Sequence, residues 1–125
     1  MKKAVHTINA PAPVGPYSQA VVSGNLIWTS GQIGIQPETG ELVTGGIEAE
    51  FEQALKNLSA VLGACGIGLD RVIKTLIFIT DISQFARVNA VYERYFKEPF
   101  PARSTVQVSA LPKGASVEIE AVAEL

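Results

Sequence analysis

Residues 71–80, Arg-Val-Ile-Lys-Thr-Leu-Ile-Phe-Ile-Thr, constrain this chain most. The run is rich in β-branched residues, and both of its alternating faces are mostly apolar. Ile73, Ile77 and Ile79 fall on one face, and Val72, Leu76 and Phe78 on the other. A strand of that composition is covered on both sides and lies inside a sheet, because a face left in water would expose a row of hydrocarbon. The rest of the chain has to supply the neighbours and the covers.

Two segments read as helices. Over residues 47–65, Phe51, Leu55, Leu58, Leu62 and Cys65 recur at helical spacing and form one apolar stripe. Glu48, Glu50 and Glu52 lie where the helix dipole favours negative charge, and Gly66 suits the exit. A second helix is expected from Ser83, an N-cap residue type, to Phe96, with Phe85, Val88, Tyr92 and Tyr95 as its stripe and Pro99 and Pro101 beyond its end. The other ordered segments read as strands: 3–8, then 19–23 and 25–31 around a Ser23-Gly24-Asn25 turn, and finally 103–110 and 117–124. Asn9–Gln19 is a proline-rich extended loop, and 34–46 a Gly- and Pro-containing surface loop. The order β-β-β-α-β-α-β-β predicts an α+β domain, a six-stranded sheet with both helices on one face. The opposite face, to which Val5, Val21, Val106 and Val108 are assigned, is too apolar for water and predicts self-association.

Composition narrows the function classes. A chain of 125 residues is a single domain, 1–125, and 47% apolar against 18% charged residues excludes a disordered tail protein. Ten basic against twelve acidic residues, with no basic stripe, argue against a nucleic-acid or anionic-membrane partner. One cysteine and one histidine exclude a disulfide framework and a Cys/His metal centre. No apolar stretch follows Met1-Lys2-Lys3, and no segment is long and apolar enough to span a bilayer, so the cytoplasm is the expected compartment.

The familiar catalytic signatures are missing: there is no G-x-G-x-x-G after a strand, no P-loop and no H-E-x-x-H. His6, alone on the first strand, reads as structural, and Cys65, on the helix stripe, as a core residue. Two places resist that bland reading. Arg103 opens a strand behind Phe100-Pro101-Ala102, so it is either a surface ion-pair partner or a stiffly mounted guanidinium for capturing a carboxylate. Glu118 and Glu120 share one face of the last strand, which is either a solvated face or the seat of a general acid/base with a raised pKa. Ser30-Gly31-Gln32 is either a bulge or a close backbone approach to a ligand, and Tyr17 packs in the proline loop or touches a ligand.

These residues carry a resemblance. Gly15-Pro16-Tyr17-Ser18-Gln19-Ala20, Thr29-Ser30-Gly31-Gln32-Ile33, Asn89-Ala90-Val91-Tyr92, Phe100-Pro101-Ala102-Arg103-Ser104 and Val117-Glu118-Ile119-Glu120-Ala121 resemble, in order and over nearly the whole chain, the RidA (YjgF) family of reactive-intermediate imine deaminases. The resemblance implies a chorismate-mutase-like α+β fold and a homotrimer. Its sheets turn inward as a barrel, with clefts between subunits, and the last connection jumps one strand. It implies hydrolysis of 2-aminoacrylate and 2-aminocrotonate, through their imine tautomers, to 2-oxo acids and ammonia. That activity protects pyridoxal-phosphate enzymes and uses no cofactor of its own. Arg103 then clamps the substrate carboxylate and Glu118 handles the attacking water, while Tyr17, Ser30, Gly31, Asn89 and Thr105 line the cleft. Thr105 stands where some members have cysteine, and Glu120 takes a structural or rim role. A non-catalytic trimer that binds small carboxylates is the alternative.

Overall fold

The computed structural model describes residues 1–125. Six strands, β1 (Lys3–Val5), β2 (Ala20–Ser23), β3 (Leu26–Thr29), β4 (Val72–Ile79), β5 (Ala102–Gln107) and β6 (Val117–Glu124), alternate with two helices, α1 (Ile47–Gly63) and α2 (Phe85–Tyr95), in the expected order. They form one sheet in the order β1-β2-β3-β6-β4-β5. All neighbours are antiparallel except β4 and β5, so the sheet is mixed. The connection from β5 to β6 steps over β4, as the family resemblance implied, and β6 becomes an interior strand.

Both helices cover the same face. The α1 stripe of Phe51, Leu55, Leu58 and Leu62 is fully buried against Ile27, Ile77, Ile79, Ile119 and Ala123 of the sheet. Cys65 sits half-buried at the edge of this core, and burial pushes its thiol pKa up. From α2, Val88, Val91 and Tyr92 are buried, and Tyr92 is stacked between Phe51 and Phe96. Burying a large apolar side chain contributes about 1.5–3 kcal/mol, so these few residues account for much of the cohesion between layers.

The other face of the sheet carries no helix. Trp28 is 52% and Val106 42% exposed there, beside half-buried Val21, Leu76, Phe78 and Val122. No helix of the chain is long and apolar enough to cross a membrane.

Four local expectations are corrected. Val5 pairs with buried Ala20 and packs on the helix side, because the strand ends there and its neighbour sets its face. A register shift between Val72 and Lys74 puts Val72 inward and leaves Ile73 41% exposed. The turn before α2 is capped by Asp81, whose carboxylate accepts from the Ser83 N–H at 3.0 Å; Ser83 is the residue capped, and the α-helix starts at Phe85. Several elements are also shorter than their periodic runs: α1 ends at Gly63, with Gly66 at φ 78° turning the chain away, β3 ends at Thr29 and β5 at Gln107.

Candidate functional site

β3 leaves the ladder through a bulge. Trp28 pairs with Val122 and Gln32 with Ile119, so Thr29, Ser30 and Gly31 stand opposite only Glu120 and Ala121. The Thr29 hydroxyl fills the gap by accepting from the Ala121 N–H at 3.0 Å. The bulge frees Gly31 for a close approach: a β-carbon there would lie 2.6 Å from Glu118 Cδ. Gly31 is thus a bulge residue, one of the two readings its sequence left open, and the Glu118 side chain packs closely on its backbone.

The proline loop is fastened over this bulge. The Ser30 hydroxyl donates to the Ser18 carbonyl at 2.6 Å. Gln19, almost wholly buried, accepts from the Thr7 N–H at 2.8 Å and donates to the carbonyls of Thr7 and Pro11, both at 3.0 Å. Tyr17 is half-exposed, its hydroxyl lying 3.4 Å from the Val14 N–H that donates to it. Tyr17, Ser30, Gly31 and Glu118 together line a cleft of about 600 Å³. Burial, and then repulsion from Glu120, raise the Glu118 carboxyl above the usual carboxylate pKa.

Arg103 lies elsewhere. It pairs with Thr75 on β4, which pairs with Ala121 on β6, and its side chain joins the helix-covered face. Its guanidinium carbon stands 4.8 Å from the centre of the Tyr92 ring and 5.3 Å from that of Phe85. The Tyr92 hydroxyl is anchored in turn to Thr75 Oγ1 at 2.9 Å. Arg103 makes no ion pair within the chain, so the surface-pair reading falls. Asn89 and Arg103 line a second, smaller cleft of about 350 Å³ with Tyr92 and Phe100. Close by, Asn89 Oδ1 and Thr105 Oγ1 are buried without hydrogen-bond partners.

The fold therefore divides the seven sequence-derived residues into two groups. Arg103 and Glu118 are three residues out of step and two strands apart, roughly 14 Å between α-carbons, with side chains on opposite faces. No single chain can close both around one small molecule. Sequence reasoning gave no role to Gln19, nor to the Tyr92 and Phe85 rings under Arg103. The i, i+7 spacing of Phe85 and Tyr92 on one helix face was the available signal for that platform.

A six-stranded mixed sheet with two helices on one face, a glycine-seated carboxylate on the other and an arginine mounted on the Phe85 and Tyr92 rings of α2 defines a small α+β protein with two separate clefts, one lined by Glu118 and the other by Arg103. A family model described as endoribonuclease L-PSP matches residues 7–125. The chain belongs to that family, the RidA (YjgF) family. It is 49% identical to the human 2-iminobutanoate/2-iminopropanoate deaminase over 98% of this chain and 90% of that protein. Its fold is similar to the crystal structure of a Rid-family protein, YyfA from Yersinia pestis, with a TM-score of 0.96 and 52% identity over the full length of both. It is also similar to TdcF from E. coli with bound serine, with a TM-score of 0.92 and 40% identity over 98% of each chain.

Proposed function

We propose that this protein is a hydrolytic deaminase that converts 2-imino acids, among them 2-iminobutanoate and 2-iminopropanoate, to 2-oxo acids and ammonia. The relatives named for that activity match nearly the whole chain. The observation that carries the mechanism is the divided site: a raised-pKa carboxylate in one cleft and an unpaired guanidinium in the other. We place the working site where the Glu118 half of one subunit meets the Arg103 half of the next in a homotrimer. The bare apolar sheet face supports that assembly, since soluble chains seldom leave such a face in water.

In that cleft Arg103 takes the substrate carboxylate with two parallel hydrogen bonds, and the Tyr92 and Phe85 rings hold its plane. This fixes the imine carbon beside Glu118. Water adds to the C=N carbon as Glu118 takes one of its protons and delivers it to the imine nitrogen, giving a neutral tetrahedral amino alcohol. Glu118 then carries the hydroxyl proton to that nitrogen, the C–N bond breaks, ammonia leaves and the carbonyl forms. Water and substrate together balance the products. A carboxyl with a raised pKa is a stronger base once ionised, which suits both proton transfers. Serine bound to the related TdcF has the same α-carboxylate that this arginine would hold.

Ammonia release from 2-aminocrotonate, generated in situ by a threonine dehydratase, tests the reading on wild type and Arg103→Ala. Faster release with wild type, and release at the uncatalysed rate with the variant, is expected. Binding of the 2-oxo acid with no effect on imine decay would establish the non-catalytic alternative instead.

A further inference from the structure

Lys113 holds a backbone conformation that lysine rarely adopts. Its φ and ψ are 58° and 21°, the left-handed region, and Gly114 follows at φ 71°. Glycine, asparagine and aspartate occupy that region far more readily than lysine does. Such outliers persist where the surroundings demand them, and they concentrate at working sites. What the conformation accompanies here is a contact: Lys113 Nζ donates to the Gly40 carbonyl at 2.9 Å, joining segments 73 residues apart.

Both ends of that contact line the Glu118 cleft. The loop after Gln32 forms one wall with Ile33, Ile35, Pro37 and Gly40, and Pro112 and Lys113 form part of another. The base of the loop is held from below, where Asn57 donates to the carbonyls of Ile35 at 2.8 Å and Ile33 at 3.2 Å. Within the loop, Gly40 N–H donates to Gln36 and Gln36 N–H to Glu41, so its tip is a tight, self-bonded turn. The Lys113 ammonium is the side-chain bond that ties this tip to the rest of the molecule. The cleft is wide for its proposed substrate: a small imino acid fills a fraction of about 600 Å³.

We infer that Lys113 is a specificity-determining positioning residue, which straps the tip of the 34–46 loop across the Glu118 cleft and holds its apolar wall at the spacing small imino acids require. The inference rests on the deaminase reading. It adds that discrimination by side-chain size depends on a hydrogen bond remote from the reacting atoms.

The test uses Lys113→Asn, which suits the left-handed backbone but cannot reach Gly40, and Lys113→Arg, which keeps a donor of similar reach. Imino acids generated by an amino-acid oxidase serve as substrates, and melting temperature is measured in parallel. Lys113→Asn should melt at or above the wild-type temperature. Its KM for 2-iminobutanoate should rise roughly two- to ten-fold, the factor one ordinary hydrogen bond sets, with kcat little changed. Its KM for the bulkier imino acid made from leucine should rise less, so the preference for the small substrate falls, and Lys113→Arg should restore it. An unchanged preference in Lys113→Asn overturns the strap. So does an equal loss on both substrates that disappears in high salt, which would make Lys113 a steering charge. A lower melting temperature with losses that do not depend on substrate size would make it a structural residue and also overturn the strap. Failure of wild type to accelerate imine decay would instead remove the deaminase reading itself.

Discussion

Gly31 and Glu118 occupy each other's space: a β-carbon on the glycine would stand 2.6 Å from Cδ and 2.7 Å from Oε2 of the glutamate. The backbone at Gly31 is not left-handed, so chain conformation alone does not require glycine there. The missing side chain is what lets the carboxylate rest against the bulge. Gly31→Ala should therefore displace the end of a flexible side chain, at a stability cost below about 1 kcal/mol, the range usual outside the core mechanisms. Imine turnover should fall by roughly two orders of magnitude, because a small misplacement of a reacting group has that effect. Thermal unfolding and ammonia release on the same preparation check both halves.

Through the raised Glu118 carboxyl, folding and the proposed activity should respond to pH in opposite senses. Its carboxyl is raised by burial, then by Glu120, so the folded protein binds a proton more tightly than the unfolded chain. That contribution to stability is fully present below the unfolded carboxylate pKa and is lost as pH rises through the higher folded value. Glu118→Gln lacks the loss. It should match wild type in acid and be at least as stable at neutral pH, while showing no turnover. The wild-type pH–rate profile should have its acid limb above the ordinary carboxylate range, since the ionised form is the base. Urea titrations of both proteins across that window, with the rate profile, are the measurements.

Tyr92 does two separable jobs. Its hydroxyl bonds Thr75 Oγ1 in the core, and its ring lies under the Arg103 guanidinium. Tyr92→Phe keeps the ring and leaves the buried Thr75 hydroxyl without its partner, which costs about 1–3 kcal/mol. Substrate KM should change little. Tyr92→Leu removes the platform as well, and KM should rise with the loss of orientation. Chemical denaturation and steady-state kinetics on the two variants separate the roles.

The architecture was legible because the long elements have clean periods. Phe51, Leu55, Leu58 and Leu62 announce α1, and Ile119, Ala121 and Ala123 mark the inward side of β6 opposite Glu118 and Glu120. What escaped was non-local. A bulge at Ile73 breaks period-two counting without any glycine or proline to mark it. Val5 takes its face from pairing with Ala20, which its own sequence does not encode. Arg103 could be singled out by its mount. Its ring platform comes from α2 and reaches it only after β5 aligns beside β4. Leu111–Ser116 reads only as a connection between strands, because a turn sequence does not say which of its residues turns left-handed, as Lys113 does.

A site divided between chains makes a prediction about mixtures. Within one subunit Arg103 and Glu118 point to opposite faces of the sheet, so in the proposed homotrimer each subunit would bring half of two different clefts. Arg103→Ala trimers have every Glu118 half intact and no carboxylate clamp, and Glu118→Ala trimers have the reverse; each alone should be inactive but folded. Subunit exchange between equal amounts should restore roughly a quarter of the clefts, since in a cyclic assembly each cleft draws one half at random from each of two neighbours. Turnover should approach about that fraction of wild type, and the kcat per intact cleft should be unchanged. The Arg103→Ala/Glu118→Ala double variant mixed with either single variant should restore nothing, because no cleft can then receive both groups. Mixed trimers that stay inactive after exchange has been demonstrated by mass spectrometry would place both residues in one chain's cleft and refute the shared site.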